Sequence, residues 1–64
     1  MDADSTARIN QAVDRFLERA VGAAAPYTVL RDYLKELAHA GQLAPDEVKA
    51  VEEAALVALK AQGQ

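Results

Sequence analysis

The residues that come closest to chemistry in this chain are Glu36-Leu37-Ala38-His39. Their Glu-x-x-His spacing is the one with which di-iron carboxylate bundles project ligands into a helical core. Glu18, on a helix expected earlier in the chain, would add a further carboxylate. Such a centre needs inward ligands held by second partners. With roughly 100° per residue and Leu30 as origin, Leu34 and Leu37 fall within about 40°, whereas Glu36 and His39 fall near 240° and 180°. The expectation is a solvated pair on the outer face of a helix, with no metal and no cofactor.

Hydrolytic and acid-base schemes have little to draw on. The chain holds one histidine and no cysteine, and its hydroxyls apart from tyrosine are Ser5, Thr6 and Thr28, which are expected to cap helices. Asp46-Glu47 and Glu52-Glu53 are paired carboxylates. Catalytic pairs need unequal, buried environments to split their pKa values, and adjacent acids on a helix are expected to be solvated. The three glycines are scattered, so there is no phosphate loop. Ser5 follows an aspartate, as does the modified serine of acyl carrier proteins, but it precedes Thr6 near the amino terminus and not the head of an internal helix. The reading is a chain that is not an enzyme.

Arg8, Arg15 and Arg19 form the one basic stripe, at i, i+7 and i+11, within about 40° on one flank of a helix. Such a stripe could follow phosphates or contact a protein partner. The formal charge of −3 and the acids Asp46, Glu47, Glu52 and Glu53 on the last helix oppose nucleic acid. A small nucleic-acid-binding regulator using this flank is therefore the alternative and not the first reading.

Three helices must position these residues. Apolar side chains recur at helical spacing in three stretches, over about 5–21, 27–40 and 45–61, divided by Gly22, Pro26, Gly41 and Pro45. Asp4 or Ser5 would cap the first, with Ile9, Val13, Phe16, Leu17 and Ala20 inward. The second would bury Tyr27, Leu30, Tyr33, Leu34 and Leu37 and stop at Gly41, and the third would bury Val48, Val51, Ala55 and Leu59. Phe16, Leu34, Leu37 and Leu59 are expected together in the core. Short connections favour antiparallel neighbours, so the fold class is all-α, a small antiparallel three-helix bundle forming a single domain over residues 1–64.

The second helix, Gly41-Gln42-Leu43 and the third helix resemble the short carboxy-terminal oligomerisation hairpins called SHOCT domains, through Leu34, Leu37, Gly41, Leu43 and Glu47. The resemblance implies a self-associating hairpin. It spans less than half of the chain, Ala44 stands where such hairpins usually have Thr or Ser, and the same residues serve any tight helical hairpin.

A 64-residue chain with 52% apolar residues can fold, yet a domain of this size buries only about 60% of its unfolded surface. Without cysteine, oligomerisation is the available support. The third helix has residues to spare for it: Ala50, Ala54, Val57 and Ala61 form a second line away from the core stripe, with Leu56 beside it. The expected function is a self-associating helical interaction module, an adaptor, scaffold or regulator. A homodimer through the third helix is favoured, with a protein partner possible. The polar, acidic opening Met1-Asp2-Ala3-Asp4-Ser5-Thr6 and the absence of a long apolar run point to a soluble, cytoplasmic chain with no membrane partner.

Overall fold

The computed structural model describes residues 3–62; Met1 and Asp2, read above as part of the polar opening, lie outside the described residues. Three helices follow one another, α1 (Ala3–Ala20), α2 (Pro26–Ala40) and α3 (Pro45–Gln62), and each packs against the other two. The expected bundle is the observed one.

The helix ends follow local chemistry. The Val21 N–H still donates to the Leu17 carbonyl at 3.1 Å, and Gly22 then turns the chain at φ 77°. Pro26 opens α2 at a position where its missing N–H costs nothing. Gly41 closes α2 in the left-handed region, at φ 69° and ψ 13°, which only glycine adopts without a Cβ penalty. The Ala44 carbonyl accepts from the Val48 N–H at 3.0 Å, which makes Ala44 the cap of α3 and Pro45 its first residue.

The hydroxyls do not cap as expected. Ser5 sits inside α1, two residues beyond Ala3, and is buried, because its position lies on the core face of the helix. Ala25 caps α2 without any side-chain hydrogen bond, and the Thr28 N–H donates to the Ala25 carbonyl at 3.1 Å. Proline at the first helical position sets the start of α2 by fixing φ, so a hydroxyl cap is dispensable.

Among the described residues, nine apolar side chains form the core: Ile9, Ala12, Phe16 and Ala20 from α1, Leu30 and Tyr33 from α2, and Val51, Ala55 and Leu59 from α3. Phe16 and Val51 are its fully buried large side chains, and the Phe16 and Tyr33 rings stack with centroids 6.2 Å apart at 28°. Against expectation, Ala12 is buried while Val13 and Leu17 are half-buried. Because α1 faces two neighbours, its buried sector centres on Phe16 and extends to Ala12, which shares a crevice with Tyr33 and Leu37. Leu34 and Leu37 are likewise half-buried against the core, and Val48, expected inward, is half-buried and lines a hollow at the α2–α3 turn. Tyr27 is 55% exposed, since the first turn of α2 carries it past the core to the lip of a groove.

Candidate functional site

Two constellations stand out, one polar and closed, the other apolar and open. The polar one is centred on Glu47, whose side chain is buried at the amino-terminal end of α3. Its Oε1 accepts the Ala44 N–H at 2.9 Å, so a glutamate at the third helical position reaches back to the cap residue in half of a capping box. Its Oε2 accepts from the Ser5 hydroxyl and from Arg8 Nη2, the latter at 2.8 Å. The Ser5 hydrogen bond, the Ala44 N–H and Arg8 together lower the Glu47 pKa from 4.5 to about 2, against the opposing effect of burial. These bonds tie the amino-terminal ends of α1 and α3 together and fix the up-down-up arrangement. Glu47 was expected to be solvated; one oxygen faces a backbone donor and the other two α1 side chains, which explains its burial. The signal was the glutamate three residues after Ala44, masked because the cap residue has no hydroxyl.

Two arginines of the basic stripe are paired within the chain, at its surface. Arg8 is paired with Glu47, and Arg19 Nη1 with Glu36 Oε2 at 2.8 Å. The Arg19 guanidinium also lies 4.9 Å from the Tyr33 ring centroid, within cation–π range. Of the three arginines, Arg15 is the one with no ion pair among the described residues. Glu36 and His39 are exposed, as the helical wheel required, and Glu36 has Arg19 as its partner. Among the described residues, no group of three or more His, Cys, Asp or Glu side chains converges on a common point.

The apolar constellation is a groove of about 420 Å³ between α2 and α3. Tyr27, Leu30, Leu34 and Ala38 line its α2 wall, and Leu56 lines its α3 wall. Arg31 and Lys35 stand on the α2 side and Glu52 on the α3 side. A further apolar hollow continues along the same junction, lined by Ala38, Gly41, Leu43, Pro45 and Val48. Half-buried Leu34 and Leu56 are in contact with the core below and open to the groove above.

The line expected on α3 divides. Ala54, Val57 and Ala61 are exposed, with Val57 at 68%. Ala50 is half-buried against the core, which corrects its placement on a free outer line. Leu56 belongs to the groove, roughly 100° further round α3 from Val57. Sequence spacing joined these five residues because Leu56 and Val57 are adjacent in the chain, whereas the packed helices place them on different flanks. The groove itself was detectable in the wide apolar arc of α2, which runs about 140° from Tyr33 through Leu30 to Ala38, more than contact with one neighbour requires.

Among the described residues, no helix is long and apolar enough to cross a membrane. Comparisons of the chain with protein-family models, with curated proteins and with solved structures give no match, so any functional reading rests on the residues above.

Proposed function

We propose that the chain is a non-catalytic protein–protein interaction module that self-associates through its helical hairpin. The observation that carries the reading is the groove between α2 and α3, where Tyr27, Leu34 and Leu56 present contiguous apolar surface that three helices leave uncovered. Uncovered surface of this kind marks interaction sites in small domains. A fold with so small a core gains proportionately more from covering it than a large domain would. The internal pairing of Arg8 and Arg19 withdraws support from phosphate tracking along α1, and the self-associating reading is favoured over a nucleic-acid one. A cytoplasmic setting belongs to the same proposal.

Sedimentation across a concentration series tests it. The expected result is a dimer at micromolar concentration that persists in high salt, as apolar contacts do and phosphate contacts do not. A chain that remains a monomer at millimolar concentration overturns the reading.

A further inference from the structure

The sides of the groove carry opposite charge, and this selects a geometry for the dimer proposed above, on which the inference rests. Arg31 and Lys35 stand on α2 and Glu52 on α3, and none of them has an ion pair among the described residues. The antiparallel register sets them at related heights. Ala38 and Val48 line one end of the junction together; every fourth residue back along α2 and forward along α3 then brings Leu34 beside Glu52 and Leu30 beside Leu56.

Two copies can close this groove face to face about a two-fold axis in two limiting ways. If the axis crosses the helices, α2 lies on the α2 of the second copy, and the Arg31 and Lys35 sides meet each other. If the axis runs along the helices, α2 lies on the α3 of the second copy with heights preserved. Lys35 and Arg31 then face Glu52 across the interface, twice by symmetry, and Leu34 and Leu30 meet Leu56. The groove is self-complementary only in the second arrangement. We infer that the chain forms a two-fold dimer in which α2 of each protomer covers α3 of the other, with Lys35 and Arg31 paired to Glu52 of the second copy.

The test uses Lys35→Glu, Glu52→Lys and the double exchange, compared with wild type by sedimentation equilibrium at low salt, with circular dichroism melts to verify folding. These are exposed residues without ion pairs among the described residues, so the variants are expected to fold. Each single reversal should weaken the dimer by roughly tenfold, and the double exchange should restore it. Unchanged or tighter dimerisation in the single variants overturns the geometry, because in the crossed arrangement Lys35→Glu sets a glutamate against Arg31 of the second copy and Glu52→Lys only trades one like-charged contact for another. A further variant with Ala54→Glu and Val57→Glu should remain dimeric. Its dissociation would overturn the choice of surface while leaving self-association standing, and a monomeric wild type would overturn the underlying reading itself.

Discussion

The α1–α3 junction and the α2–α3 junction use the same helix in opposite ways. Where α3 meets α1, Phe16, Val51 and Ala55 are fully excluded from solvent, and Glu47 joins Ser5 and Arg8 at the end of the seam. Where α3 meets α2, Leu34 and Leu56 are half-buried, and Arg31, Lys35 and Glu52 stand beside an open groove with no ion pair among the described residues. A closed seam supplies stability within one chain. An open one retains apolar surface for another.

That contrast breaks most visibly at Phe16. Phe16→Ala should cost about 3 to 5 kcal/mol through lost burial and the cavity left behind, enough to unfold so small a domain, as a urea or thermal melt would register. In the open junction, Leu34→Ala should cost only roughly 1 to 2 kcal/mol in a dilute protomer, since part of its side chain is already solvated. Its cost should grow with protein concentration if the groove is covered by a second copy. Equal losses for Phe16→Ala and Leu34→Ala in dilute solution would erase the distinction.

Glu47 sharpens the comparison through pH. Its folded pKa of about 2 lies below the ordinary 4.5, so its contribution is fully present above 4.5 and is lost as pH falls toward 2. Urea midpoints followed from pH 6 downward should fall less steeply between about pH 5 and pH 2 in Glu47→Gln than in wild type. Parallel curves would show that the Ser5, Arg8 and Ala44 contacts do not favour the charged carboxylate. At the hairpin turn, Gly41→Ala should cost about 1 kcal/mol, from the left-handed φ alone, because a Cβ there meets nothing within 4 Å. Gln42→Ala should change the melting midpoint little. The smallest effect is expected at Val57, where Val57→Ser should alter stability by no more than about 0.5 kcal/mol at any protein concentration, since it lies outside the proposed interface.

The helices and their ends were legible in the sequence because their causes are local. Apolar spacing marks three amphipathic segments, Pro26 and Pro45 fit the first position of a helix, and Gly41 supplies a conformation that other residues resist. Phe16, Leu30, Tyr33, Val51 and Leu59 were recognisable as core for the same reason: helical spacing places each of them on the apolar face of its segment. Residues at the margins were not. Whether Ala12 or Val13 is buried depends on the side from which α2 approaches α1, and a wheel drawn for one helix holds no information about its neighbours.

Tertiary structure alone decided the fate of Glu47 and the division of α3. Glu47 is read locally as a surface acid at a helix start, and becomes a buried clamp only because folding brings Ser5 and Arg8, some forty positions away, to its second oxygen. Leu56 and Val57 are neighbours in the chain and part company in space, one at the groove and the other on an exposed flank. Sequence by itself determined where the chain is helical, since backbone conformation and hydrophobic period are properties of short segments. Which faces closed and which stayed open was set by the relative placement of three helices, a property that arises only when all of them are packed.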